Sequence, residues 1–397
     1  MSAAHQIAPP SSPAARARAV APLIAMAADR IEAACEIPPD LLDALHEARL
    51  FRTLLPRSLD GDEAPPAEFV RMMEIIAAAD ASTAWCIGQT SGCSMASAYM
   101  DPAAARAIWS DPRAAMAWGA GPQGRAIAVP GGYRVSGHWD FASGSRGATW
   151  IGGHSRVIGP DGAMLRWPDG PLAGDPVERS MIMPKSAVTM IRNWNPMGLR
   201  GTGSDSYEVN DLFVPEAFTV IRDNPADRRE QGPLYRFVTN HLYASGFGAV
   251  ALGIARGALE AFTDLARTKT PQSSARMLRD SHHVQTAMAL ATAKLTAART
   301  LLNTTLEEVW TRAETAEINL DDRMRIRLAA SFATHQAREV MDFAYHEAGA
   351  TAIFPTQPFE RRFRDLHSVT QQIQARTAHF ETVGAHLLGL GAPSRFL

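Results

Sequence analysis

Three stretches of the sequence hold side chains that could do chemistry together. The first is Gly137-His-Trp-Asp-Phe-Ala-Ser-Gly-Ser145, followed by Trp150. A strand running into the small polar turn Ser143-Gly144-Ser145 exposes backbone N–H groups and hydroxyls. These can hydrogen-bond the polar edge of a planar cofactor while Trp139, Phe141 or Trp150 packs on its face. The same residues also suit a plain β-turn over core aromatics, which composition alone favours. The second stretch is Trp194-Asn-Pro-Met-Gly-Leu-Arg-Gly-Thr-Gly-Ser-Asp-Ser206, a Gly-rich connection ahead of Tyr207-Glu-Val and Phe213-Val-Pro215. It is either a simple loop or one whose Arg200 meets an anionic group. The third is Arg361-Arg-Phe-Arg-Asp-Leu-His-Ser-Val-Thr-Gln-Gln372. On a helix, spacings of three and four put Arg361, Arg364 or Asp365, Ser368 and Gln372 near one face. Such a stripe is a solvated outer face or, turned inward, a polar lining that needs a partner such as a buried ligand.

Other reactive groups are sparse. Three cysteines, Cys35, Cys86 and Cys93, make no disulfide framework and fit a reducing cytoplasm. Cys86 and Cys93 read as small apolar fillers of a helix, with a reactive thiol at Cys93 as the sharper alternative. His282-His283, and His335 with Glu339, have helix-face spacing, but a solvated face explains them and no metal is expected. None of Gly-x-x-x-x-Gly-Lys, a strand-bound Gly-x-Gly-x-x-Gly, Gly-x-Ser-x-Gly or His-Glu-x-x-His is expected in this chain. With 39 Lys+Arg against 41 Asp+Glu, and no basic block, nucleic acid is an improbable partner. Arg16 and Arg18 before the apolar run Val20 to Ala28 imitate a secretory signal, but Asp29, Arg30 and Glu32 continue the helical pattern. No membrane span is expected.

These groups must be positioned by elements of three kinds. The 397 residues allow two or three packed units. Residues 1–13, rich in Pro and Ser, read as a flexible lead-in. Residues 14–115 follow a helical period. Pro38-Pro39-Asp40 opens a helix with apolar Leu41, Leu42, Leu45 and Ala48, and Ser82 or Thr83 is expected to cap the helix through Trp85. Residues 116–222 carry strand-like runs at 133–136, 150–157, 181–183, 188–191 and 207–209 between turn signals. Residues 233–397 return to long helices at about 240–267, 279–313, 322–349 and 358–377, an antiparallel bundle. Gly246, Gly248, Gly253 and Gly257 in the first of them call for a close backbone neighbour, a subunit interface being one candidate. The fold class is mainly α with a central β-domain.

The order of these regions resembles the acyl-CoA dehydrogenase superfamily, and the motifs are similar to its group D, two-component flavin-dependent monooxygenases. The motifs are Asp80-Ala-Ser-Thr-Ala-Trp85, Pro130 through Gly144, Gly198-Leu-Arg-Gly-Thr-Gly-Ser204, Phe213-Val-Pro215 and Arg362-Phe-Arg-Asp365. The resemblance covers nearly the whole chain. It implies an N-terminal helical domain, a middle β-barrel or sandwich, a C-terminal four-helix bundle, and a homotetramer. It also implies that a separate flavin reductase supplies diffusible reduced FMN or FAD, and that O2 forms a flavin hydroperoxide. That species would oxygenate a small aromatic, heteroaromatic or heteroatom-containing substrate. By position, Ser143 and Gly144 would contact the flavin ring, Arg276 would lie near its phosphate, and Thr370 and Gln371 would approach from the last helix. Trp118 would line the flavin pocket, unless it is only a strand residue of the core.

Two positions depart from the family pattern. Gln372 and Cys93 stand where many of its hydroxylases have histidines. With Ser143 they are the candidate catalytic residues, yet Gln372 can only orient a substrate and Cys93 is a different reagent from a histidine base. An electron-rich heterocycle, an amine or a sulfur centre therefore suits the site better than a phenol needing deprotonation. The resemblance leaves two alternatives: an acyl-CoA dehydrogenase with Glu260 or Glu347 as base, and a flavin-binding scaffold without catalysis.

Overall fold

The structure, a computed structural model, describes residues 12–272 and 274–390. Most of the expected lead-in, residues 1–11, lies outside the described residues. Ser12 caps the first helix and Pro13 opens it, so α1 (Pro13–Ala34) begins where the lead-in was expected to end. It buries Ala17, Ile24, Ala27 and Ile31, which makes the apolar run a packed helix of the fold. There follow α2 (Pro39–Glu47), α3 (Pro66–Ala79), α4 (Ala81–Ser94) and α5 (Pro102–Trp109). The cap of α4 is Asp80, not Ser82 or Thr83. Its backbone is extended, and its carboxylate accepts from Thr83 N (2.7 Å) and Thr83 Oγ1 (2.8 Å).

The middle of the chain forms one eight-stranded sheet from β1 (Met116–Trp118), β2 (Gly124–Val129), β3 (Gly132–Ala142), β4 (Trp150–Ile158), β5 (Glu178–Pro184), β6 (Thr189–Ile191), β7 (Asp205–Pro215) and β8 (Thr219–Val220). The order is β6-β7-β3-β2-β4-β5-β8, with β1 pairing in parallel beside β4. The ladder between β3 and β7 shifts register between Val135 and Gly137 and between Trp139 and Ala142. Such irregularities bend a strand end and re-aim its side chains. Trp139 stacks on Tyr207 (5.2 Å between centroids) in a core with Val135, Ile151 and Met181.

The rest of the chain contains α6 (Thr239–Thr268), α7 (His282–Ala313), α8 (Leu320–Ala348), α9 (Glu360–Val369) and α10 (Ala378–Leu387). By length and composition α6 could cross a membrane, contrary to the expectation that no segment qualifies, but nearly all of it is covered inside the fold. Its glycines meet neighbours within this chain rather than another subunit. A Cβ on Gly253 would collide with the Glu74 carbonyl oxygen of α3, and one on Gly248 would lie 3.1 Å from the Ala330 carbonyl oxygen of α8.

The helix expected over 358–377 is broken. It ends at Val369, Thr370 Oγ1 bonds back to the His367 carbonyl (2.7 Å), and Gln372 turns extended to cap a short turn at Ile373–Ala375. Side chains that bond their own backbone compete with helix continuation.

Candidate active site at the end of β3

β3 delivers Phe141 in the left-handed region (φ 64°) and then the turn Ser143-Gly144-Ser145. The backbone N–H groups expected to be free are not. Ser143 N donates to the Phe141 carbonyl (2.9 Å), Gly144 N to Thr202 (2.9 Å) and Ser145 N to Ala142 (3.0 Å). Ser143 and Ser145 are buried, and an unpaired N–H in such a place is costly. What the turn offers is the Ser143 hydroxyl.

That hydroxyl belongs to a directed chain. Thr202 Oγ1 donates to the Leu199 carbonyl (2.8 Å), so Ser204 must donate to Thr202 (2.7 Å) and Ser143 to Ser204 (2.7 Å). Trp85 Nε1 donates to Ser143 Oγ (3.1 Å). With its single hydrogen committed, Ser143 keeps one lone pair and can act outward only as an acceptor. The aromatics differ in the same way. Trp139 is fully buried and donates to the His154 carbonyl (2.8 Å), and Trp150 stacks on Phe218 (5.7 Å). Phe141 is 60% exposed and meets the edge of Trp194 (6.1 Å). Of the three, it has the open ring.

A row of stacked rings leads inward from Ser143. Trp85 stacks on Phe247 (3.9 Å), which stacks on Tyr243 (5.6 Å), whose hydroxyl lies 3.6 Å from Cys93 Sγ. Trp118 lies against both Cys93 and Tyr243. Burial pushes the Cys93 thiol up to about 12, against the bond from Tyr243 and the positive charge of Arg222. Cys93 is therefore a protonated thiol at neutral pH and no thiolate nucleophile. The fold thus brings Ser143, Gly144, Cys93 and Trp118 to one region.

The Acyl-CoA dehydrogenase, C-terminal domain family matches residues 245–377. A pigment production hydroxylase of Rhodococcus erythropolis is 30% identical over 328 residues, 80% of this chain and 81% of that protein. An indole-3-acetate monooxygenase of Pseudomonas putida is 28% identical over 356 residues, 89% of this chain and 87% of that protein. The crystal structure of a 3-HSA hydroxylase from Rhodococcus sp. RHA1 superposes with a TM-score of 0.87 at 26% identity, covering 96% of this chain and 98% of that one. The chain belongs to the flavin-dependent monooxygenases of the acyl-CoA dehydrogenase superfamily.

For a flavin-dependent monooxygenase, the turn passes a test of fit. Phe141 presents an open aromatic face beside a hydroxyl oxygen whose direction is already set, and a flavin needs a flat partner and a polar contact at its edge. The other family-implied residues stand apart. Arg276 lies in the exposed connection between α6 and α7, its N–H bonded to Ser274 Oγ (3.0 Å). Gln371 is exposed and bonds Thr370 Oγ1 (3.2 Å), and Gln372 Oε1 accepts from Gln374 N (2.6 Å). Among the described residues, none of these bonds the Ser143 turn. The polar stripe is taken up within the protein: Arg361 pairs with Asp29 (2.5 Å), and Arg364 with Glu360 (2.7 Å) and Glu32 (2.9 Å). Arg200 finds its anion in Glu32 (3.5 Å).

Asp365 is the residue in this stretch that reaches the site. Its Oδ1 accepts from Leu199 N (2.6 Å), fixing the residue on whose carbonyl the hydroxyl chain ends. Burial raises its carboxyl to about 7, with Asp80 and Glu32 adding to the rise and the Leu199 N–H opposing it. The Arg-Asp pair was a visible motif, but its partner lies far away in sequence. Contrary to the expectation, a Gly-x-Gly-x-x-Gly does follow a strand. Gly119-Ala-Gly-Pro-Gln-Gly124 has dinucleotide-binding spacing after β1, yet it runs into β2, so no helix N-terminus stands there to receive a pyrophosphate. The two candidate dehydrogenase bases are engaged elsewhere, Glu260 with Arg256 (3.0 Å) and Glu347 with His283 (3.1 Å).

Proposed function

We propose that this chain is the oxygenase component of a two-component system that takes reduced FMN or FAD from a separate reductase and oxygenates a small aromatic or heteroaromatic substrate. The observation that carries this reading is the Ser143 hydroxyl, aligned by Trp85, Ser204 and Thr202 beside the open ring of Phe141. When bound, the flavin supplies the two electrons and the activation of O2. The chain's own residues do the rest. Ser143 would accept a hydrogen bond from the flavin, Gly144 lets the backbone turn there (φ 78°), and Phe141 with Trp194 would pack on the ring. Arg276 would lie near the flavin phosphate, and Thr370 and Gln371 would approach the flavin from the last helix. Trp118 bounds the substrate space and excludes water from it. Gln372 orients the substrate, and the protonated Cys93 contributes bulk and a weak donor rather than a base.

With glutamine and cysteine at the family's histidine positions, the favoured substrates are electron-rich rings or heteroatoms that react without prior deprotonation. A homotetramer is supported by the outward face of α7, where Ala289, Ala293, Ala297 and Leu301 alternate with Thr292, Thr296, Thr300 and Thr304 in a shallow trough. Three reduced cysteines support a cytoplasmic setting.

The test is to supply reduced FMN or FAD enzymatically under isotopically heavy O2, with indole-type substrates. Product carrying a single heavy oxygen atom is expected. Oxidation of acyl-CoA thioesters with an artificial acceptor, and no oxygen in any product, would overturn the assignment.

A further inference from the structure

A second opening lies on the sheet, away from the Ser143 turn. It is a cleft of about 540 Å³ whose walls include His154, Arg156, Trp167, Arg179, Ser180 and Arg222. That volume suits a ligand of one or two rings.

Its charged groups are not equivalent. Arg156 stands opposite Glu178 in the ladder of β4 and β5, and Arg179 Nη1 donates to Thr219 Oγ1 (2.5 Å). Asp175 is engaged within the protein. Arg222, half-buried just after β8, makes no hydrogen bond and no ion pair among the described residues. Its guanidinium carbon instead sits 5.2 Å from the centroid of the Trp118 ring. The adjacent carboxylate, Asp223, is taken by Thr239 N (3.0 Å) and Thr239 Oγ1 (2.9 Å).

The groups that feel the Arg222 charge are the Asp223 carboxyl, which burial raises and Arg222 lowers, the His154 imidazole, the Cys93 thiol and the Tyr243 hydroxyl. Burial first, and Arg222 second, hold His154 neutral, with its Nδ1 2.6 Å from Ser180 Oγ. A half-enclosed guanidinium with no hydrogen bond or ion pair among the described residues leaves its donor fork unused, and a carboxylate is the planar anion that fits such a fork.

We infer that Arg222 is the carboxylate anchor of the substrate site, so that the substrate is a small aromatic acid held in the cleft that Arg222 lines. The inference rests on the monooxygenase reading only in taking the ligand of the cleft to be the substrate. Anion binding at Arg222 stands on the cleft itself. A flavin phosphate has related chemistry, but it is assigned to the Arg276 side, and the cleft opens at the opposite end of the aromatic row from Phe141.

The experiment is a binding titration of the full chain with indole-3-acetate and with indole, read by tryptophan fluorescence and calorimetry without turnover. Wild-type protein is expected to bind the acid on the order of ten- to a hundredfold more tightly than the neutral ring. Arg222→Gln should bring the two to near parity, and Arg222→Lys should keep part of the preference. Equal affinities in wild type, or a preference that survives Arg222→Gln, would overturn the inference. It would also fall if Arg222→Gln abolished a preference for FMN over riboflavin instead, since Arg222 would then serve the flavin phosphate. The wild-type ratio needs no variant, so a folding defect in Arg222→Gln cannot hide the answer. Failure of oxygen insertion with the acid preference intact would count against the monooxygenase reading alone.

Discussion

The Ser143 turn and the inner end of the cleft lie at opposite ends of one row of aromatic side chains, and they are built in opposite ways. At the turn, three successive N–H groups and three hydroxyls are bonded within the protein, leaving one lone pair uncommitted on Ser143 Oγ. At the cleft, Arg222 has the face of Trp118 and no polar partner among the described residues. A group locked by its own neighbours keeps its geometry before any ligand arrives, which is what a cofactor contact needs. A cation without a partner gains one only when the ligand binds, which favours selection of an anionic substrate. The first region should therefore contribute to stability, and the second to affinity.

Variants can break or sharpen that contrast. Trp85→Ala should have the largest effect, because it removes both the stack on Phe247 and the donor to Ser143. A loss of about 3–5 kcal/mol is expected in denaturant unfolding.

Next comes Asp365, whose folded-state carboxyl titrates at about 7 against 3.8 unperturbed. The folded protein then holds a proton that the unfolded chain has released. The stability this group contributes is full below about pH 4 and is lost as pH rises toward 7. Asp365→Asn keeps the acceptor for Leu199 N and should remove that slope, worth on the order of 3 kcal/mol between pH 4 and 8 in unfolding free energy. An unchanged slope would contradict the assignment.

Ser143→Ala leaves the Trp85 N–H and the Ser204 hydroxyl without their partner, at about 1–3 kcal/mol. Arg222→Gln should change stability least, within about 0.5 kcal/mol, because no polar contact is lost. If Arg222→Gln destabilised the protein as much as Ser143→Ala, the contrast between the two regions would fail.

The sequence made the position of the turn legible because a long alternating strand runs into small polar residues, and β3, β4, β5 and β7 all stand where their patterns put them. The fate of the turn's N–H groups was not legible. Gly144 N is satisfied by Thr202, a residue brought in by a distant loop. The last helix was read too long because the apolar and polar spacing continues past Val369, whereas Thr370 and Gln372 turn their side chains onto their own backbone. Arg222 had no local signal at all. A single arginine after a two-residue strand gains meaning only when β1 places Trp118 beneath it.

The most direct test of the central claim is to mix the protein anaerobically with reduced FMN or FAD, admit O2 and follow the flavin absorbance by stopped flow. The account predicts a long-lived, blue-shifted phase before the oxidised spectrum returns, shortened in Ser143→Ala. Reoxidation at the rate of free flavin, with no such phase in the wild type, would contradict it.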